Sequence, residues 1–330
     1  MFSLYRTTLP ALCLTLILPC SAHAEDGKKP EAAPDTAVQR PALVERNQED
    51  ALALERQVPK EEQQTLQAGS DTFLALWKPA NSPTPQGVLV ILAGAGESAD
   101  WPKTVGPLRR KFPDSDWGTL SLALPDLLTD SPVARSESPA PAAKTEDTSK
   151  AAPAKDTPAD ANTNIAQATA AESEAEASDT ASAENSGDNS DAERIFARLD
   201  AAVAYAQQHN ARSVVVLGSG TGAYWATRYL SERQPAQVQK LVMVSVQTPV
   251  KAEHSLDSLT ATLKVPTADF YYNDQGSARQ AAKQRLQASK RMKDSDYKQV
   301  ALTAMPGNRS AEQEQLFRRI RGWLSPSEID

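Results

Sequence analysis

Four short runs dominate what this chain can become. Val88–Ala93, Thr119–Leu124, Val214–Leu217 and Leu241–Val246 are almost continuously apolar and rich in branched residues. A half-covered strand alternates apolar with polar side chains, whereas a run like these is a strand covered on both faces. Ala268–Tyr272 and Val300–Ala304 read as two further strands. Helical patterns separate them. Ile195, Leu199, Val203 and Ala206 fall on one helical face, with Ser190 and Glu193 spaced as a capping box before them. Ala223–Arg233 and the basic stretch Ser277–Met292 read as helices, and Ser310 with Gln313 caps a last one ending near Trp323-Leu324. Strands alternating with helices wind into a parallel sheet by right-handed crossovers. Ahead of them, Gln64–Trp77 reads as an antiparallel hairpin turning at Ala68-Gly69-Ser70-Asp71, and Leu52–Leu54 as part of a short helix. The expected fold class is therefore α/β: a three-layer sandwich around about six parallel strands, entered through a hairpin.

The ends and middle of the chain read differently. Arg6, the apolar run Leu9–Leu18 and Ala22-His23-Ala24 form a cleavable export signal over residues 1–24. That run is too short to span a membrane. A lipid-anchor reading would need Cys20, but Pro19 stands where a small residue belongs. Residues 25–48 are rich in Pro, Ala and charge and read as a disordered leader. From about Ala134 to Arg194 there are thirteen acids against five bases, with almost no large apolar side chain. Such a stretch buries too little surface to offset its ordering entropy, so 131–190 reads as a disordered acidic insertion. Closing a flexible loop of about sixty residues costs little more than closing one of twenty. Residues 49–130 and 191–330 therefore form one domain, discontinuous in sequence.

Composition excludes several chemistries. Both cysteines, Cys13 and Cys20, lie in the signal, so the mature chain has no disulfide, no thiol nucleophile and no thiolate metal site. Only His209 and His254 remain beyond His23, too few for a multi-histidine metal centre. The formal charge of −7 sits in the insertion, because the chain from Phe196 onward carries eighteen bases and twelve acids. No basic, aromatic-laced module marks a nucleic-acid partner. No metal, cofactor or membrane span is expected.

The informative motif is Gly218-Ser219-Gly220-Thr221-Gly222-Ala223, running from a buried strand into a helix. One reading is a nucleophile elbow, Gly-x-Ser-x-Gly, with Gly220 where the serine belongs. Glycine tolerates the positive φ of such a turn but supplies no nucleophile. A second is a dinucleotide fingerprint, Gly-x-Gly-x-x-Ala, which asks for an acid at the end of the next strand; Leu241–Gln247 has none. A third is a turn whose glycines only let strand and helix pack closely.

Phe73-Leu-Ala-Leu76, Gly87–Gly96, Asp100-Trp-Pro102, Pro107-Leu-Arg109, Trp117–Ser121 and the Gly218 turn together resemble the α/β-hydrolase superfamily. More narrowly they resemble a family of secreted α/β-hydrolase-like proteins of Gram-negative bacteria with no assigned function. The resemblance implies an oxyanion loop at Gly94, Ala95 and Gly96, whose N–H groups would bind an anion. It implies an acid after the penultimate strand, where Asp274 stands, though Asp274 also suits the cap of the following helix. It implies a histidine after the last strand, where Asn308, Arg309 or Ser310 stands instead. Nucleophile and base would both be missing. The expectation is a degenerate hydrolase fold in the periplasm or medium, binding a small molecule or an envelope protein in a crevice beside Gly94–Glu97 and Ser219–Thr221. The alternatives are an unusual serine hydrolase or esterase using Ser219, Thr221 or Ser98 with His254, and a dinucleotide-binding protein.

Overall fold

The computed structural model describes residues 46–128, 165–209, 211–292 and 296–325, with side chains of α3 described from residue 187. Among these residues eight strands form one sheet in the order β1-β2-β4-β3-β5-β6-β7-β8. β1 (Gln63–Ala68) and β2 (Asp71–Lys78) are the expected hairpin, joined at Gly69-Ser70, with Gly69 at φ 60°. β2 runs antiparallel to β4 (Trp117–Leu122). From β4 onward β3 (Gly87–Leu92), β5 (Val214–Ser219), β6 (Val238–Val244), β7 (Thr267–Tyr272) and β8 (Tyr297–Leu302) are all parallel to it. All six residues of β3 and of β5 are buried, as their apolar runs require.

Two cores flank the sheet, and the pleat sorts the side chains between them. Val88, Val90 and Leu92 of β3 join α3 (Ile165–Gln208), α4 (Thr221–Glu232) and α5 (Leu256–Thr262) on one face. Leu89 and Ile91 join α2 (Val105–Lys111) and α7 (Arg309–Leu324) on the other. α6 (Gly276–Ser289) connects β7 to β8, and α1 (Arg46–Gln57) precedes the hairpin.

The structure moves several boundaries. α1 begins at Arg46, so it takes the last residues of the expected leader; residues 25–45 lie outside the described residues. α3 has no cap at Ser190: the helix runs through that residue from Ile165. Low apolar content argues against burial, but the alanines and glutamates of 165–190 are strong helix formers, and helix needs no burial locally. Residues 131–164 of the expected insertion lie outside the described residues. Asp188 and Asp191 are buried, so the packed part of the domain starts a few residues before 191. β6 and β8 begin three residues earlier than expected. The cap of α7 is Asn308, whose Oδ1 accepts the Ala311 N–H at 3.1 Å, in place of Ser310.

Candidate functional site

At the carboxyl end of β5 the chain makes a tight turn into α4. Gly220 sits there at φ 56°, ψ −123°, a backbone setting that side-chain-bearing residues adopt only under strain. Its two flanking glycines have a packing reason. A Cβ on Gly218 would stand 2.3 Å from Ala223 Cα, and one on Gly222 would stand 2.4 Å from the Ala93 carbonyl oxygen. Strand, helix and the end of β3 touch at those two points. A Cβ on Gly220 would meet nothing within 4 Å. The turn thus has elbow geometry, with open space where a nucleophile would project.

The neighbouring loop departs from the expectation. Gly94, Ala95 and Gly96 follow β3 as predicted, but the chain's own side chains already occupy two of their N–H groups. The Gly94 N–H donates to Glu97 Oε2 at 2.9 Å, and the Ala95 N–H donates to Thr221 Oγ1 at 2.6 Å. The Arg46 guanidinium donates to the Gly96 carbonyl at 3.3 Å. A carboxylate and a hydroxyl therefore stand where an oxyanion would be held. Ser219 is buried at the end of β5.

The remaining catalytic positions are dispersed. Asp274 follows β7 but is exposed. It is not a cap either: the N-cap of α6 is Gln275, which makes no side-chain bond to the helix. Asn308 is committed to α7. His254 packs against the far end of α4, where its Nε2 is 3.8 Å from Glu232 Oε1. Its carbonyl accepts the Tyr224 OH at 3.1 Å, a bond from the first turn of the same helix. His209 lies before β5 begins, stacked on Tyr205 and Trp77 with centroids 4.2 and 4.9 Å away. Among the described residues no three His, Cys, Asp or Glu side chains gather as metal ligands.

The short motifs of the sequence turn out to brace this end of the sheet. Arg109 is buried between two carboxylates, with Nη1 on Glu62 at 2.5 Å and Nε on Asp100 at 3.1 Å. Lys78 adds a second cation on Glu62 at 2.6 Å. Burial pushes the Glu62 carboxyl up, but the hydrogen bonds from Arg109 and Lys78 outweigh it and hold the group below its ordinary range. Thr119 Oγ1 donates to the Arg109 carbonyl at 3.0 Å and Ser121 Oγ to the Ala99 carbonyl at 2.6 Å. These contacts tie the loop after β3, and α2 behind it, to β4.

Sequence reasoning missed a second polar cluster. Asp269, wholly buried in β7, takes four bonds on one oxygen: from Arg285 Nε and Nη2 at 2.9 and 2.7 Å, Tyr297 OH at 2.7 Å and Gln299 Nε2 at 3.0 Å. Its other oxygen, Oδ1, has no partner. The available signal was an aspartate inside the otherwise apolar, aromatic run Thr267–Tyr272. Arg285 also lines a cavity of about 390 Å³ at the ends of β6 and β7, beside the elbow, where the Gln247 N–H donates to the Gly220 carbonyl at 3.0 Å. A second cavity, about 290 Å³, lies under α1 and is lined by Leu52, Phe73, Ser98 and Arg198 among others.

The sheet order, the elbow and the crossovers define an α/β-hydrolase fold. An esterase of Pyrococcus furiosus shares it at 11% identity and a TM-score of 0.50, over 79% of this chain and 89% of its own. A dienelactone hydrolase of Anabaena variabilis matches at 14% identity and 0.48, over 79% and 97%. The esterase domain of a Rhodothermus marinus protein matches at 9% and 0.48, over 79% and 96%. No curated protein matches the chain. Residues 9–326 match the family described as "Protein of unknown function (DUF3530)", and the chain belongs to that family.

Proposed function

We propose that this protein is a non-catalytic α/β-hydrolase fold that binds a ligand in the cell envelope. What carries the reading is Gly220: the elbow backbone is kept and the nucleophile is absent. The filled anion loop supports it, since Glu97 and Thr221 occupy the N–H groups a tetrahedral oxyanion would need. So does the dispersal of the other positions, with Asp274 exposed and Asn308 serving as a helix cap. The export signal over residues 1–24 supports the location. Among the described residues no helix is long and apolar enough to cross a membrane.

The serine-hydrolase alternative finds little support in this geometry. Thr221 Oγ1 already accepts the Ala95 N–H, and the His254 imidazole is turned toward Glu232, with Nε2 3.8 Å from its Oε1. A serine hydroxyl without a base beside it is a weak nucleophile.

The test uses exported protein, whose intact mass should begin at Glu25. It is treated with a fluorophosphonate serine probe and, separately, with short-chain aryl esters. Neither labelling nor turnover is expected. Labelling that disappears in Ser219→Ala or Thr221→Ala would make the protein a serine hydrolase and overturn the proposal.

A further inference from the structure

The elbow lies at the carboxyl ends of the parallel strands. At the opposite, amino ends of β6, β7 and β8, cations crowd together. Lys240 is the third residue of β6 and Lys298 the second of β8. Lys264 stands just before β7. α6 ends here, because the chain must return to the start of β8, and Lys290 and Arg291 follow its last turn. Arg321 lies in the last turn of α7. The end of α7 is fixed at the same place, since Lys240 Nζ donates to the Leu324 carbonyl at 3.3 Å and stands 5.1 Å from the centre of the Trp323 ring. Against these six cations the described residues at this end of β6–β8 supply one carboxylate, Asp296, whose Oδ1 is 3.9 Å from Lys298 Nζ. Lys264, Lys290, Arg291 and Arg321 form no ion pair among the described residues and are exposed. Burial lowers the pKa of the Lys240 ammonium, Asp296 opposes that and Lys298 adds to it, so these two lysines feel each other's charge.

Helix dipoles explain part of the pattern, because a cation suits a helix carboxyl end. That covers Lys290, Arg291 and Arg321. It does not cover Lys240, Lys264 and Lys298, which belong to the strands. The rim also crosses all three layers. Ala268 and Phe270 of β7 point into the core that α7 covers, while Asp269 between them points to Arg285 of α6 on the other face. Cations therefore run from the end of α6, across the strands, to the end of α7. Apolar groups stand among them. Met292 is 49% exposed directly after Lys290-Arg291, and Trp323 is half-buried under Lys240. A broad cationic face carrying an exposed apolar side chain and an indole matches the boundary between lipid headgroups and acyl chains, where cations meet phosphates and apolar tips enter below them. An acidic protein would be matched by the cations alone.

We propose that this rim docks the protein on an anionic lipid surface, with the elbow end of the sheet left facing solvent. The proposal is independent of the non-catalytic reading and concerns the other end of the sheet.

The experiment is co-sedimentation of the exported chain with phosphatidylcholine vesicles, alone or containing about a third phosphatidylglycerol. The whole chain carries a formal charge of −7, so attraction to a negative surface has to come from a local patch. Binding is expected to the anionic vesicles only, and high salt should abolish it. A cation beside an anionic leaflet strengthens binding about fivefold. Lys290→Gln/Arg291→Gln should therefore weaken it at least tenfold, and Met292→Ser should weaken it several-fold, both with unchanged thermal midpoints. Lys103→Gln/Arg309→Gln removes the same charge at the carboxyl ends of the strands and should bind like the parent. Absence of binding to anionic vesicles, equal binding to neutral ones, or equal weakening by the two double variants would each overturn the proposal. Capture on immobilised polyglutamate without vesicle binding would overturn it in favour of an acidic protein partner.

Discussion

Three glycines within five residues do different work, and substitution separates them. At Gly218 and Gly222 a methyl group would run into backbone, which cannot yield as a side-chain end can. Gly218→Ala and Gly222→Ala should each cost about 2–3 kcal/mol, read by chemical denaturation. Gly220→Ser meets open space but keeps a positive φ, for about 1–2 kcal/mol. It should fold and still fail to turn over aryl esters, because among the described residues no histidine hydrogen-bonds to the elbow and the His254 ring is turned to Glu232. If all three variants lost equal stability, packing would not distinguish these positions. The Gly-x-Gly-x-Gly spacing was legible in the sequence. Which glycine is required by contact and which by backbone angle was not, since that depends on how closely Ala93 and Ala223 approach.

At the scale of elements, α2 and the loop after β3 are held by charge as well as by apolar packing. Arg109 is 3% exposed between Glu62 and Asp100. Arg109→Met leaves Glu62 with Lys78 alone and Asp100 with Arg110 alone, and should cost about 1.5–3 kcal/mol for the charged hydrogen bonds lost. The pH dependence has a definite sign. Glu62 is held below its ordinary value, so its contribution is complete above about pH 4.3 and is lost as the pH falls through its folded value. The parent should therefore lose stability on acidification below about pH 4.3, and Arg109→Met should show a flatter dependence there, measured by denaturant unfolding across pH. An equally steep fall in the variant would place the acid sensitivity elsewhere. Asp100, Arg109, Thr119 and Ser121 all stood out in the sequence as members of short motifs. Their common purpose emerged only when β4 and α2 were brought side by side.

For the whole molecule, the acidic insertion sets the question of where the domain begins again. Asp188 Oδ2 lies 2.5 Å from Arg228 Nη1, and both side chains are almost fully buried. The packed part therefore starts before Asp188. Deleting residues 131–164 should move the thermal midpoint by no more than about 2 °C, since loop length enters stability only logarithmically. Deleting 131–190 removes the partner of a buried arginine and should lower the midpoint by roughly 6–12 °C. Equal midpoints for the two deletions would show that Asp188 adds nothing. The composition of this stretch has few large apolar side chains. It could not reveal that two of its aspartates are drawn into the interior, because Arg228 comes some forty residues later in the chain.

What the sequence determined by itself was local and periodic. Continuous apolar runs made buried strands, helical spacing made amphipathic helices, and their alternation made a parallel sheet with a hairpin before it. The glycine at position 220, between the glycines at 218 and 222, was also written there. The tertiary structure alone decided what depends on distance between remote residues. Glu97 and Thr221 fill the anion loop, and Asn308 is consumed as a cap. The His254 ring is turned to Glu232. Arg285 reaches the cavity because Asp269, Tyr297 and Gln299 converge behind it. Hydrogen bonds act over about 3 Å, and no spacing in the chain records which groups the fold will bring that close.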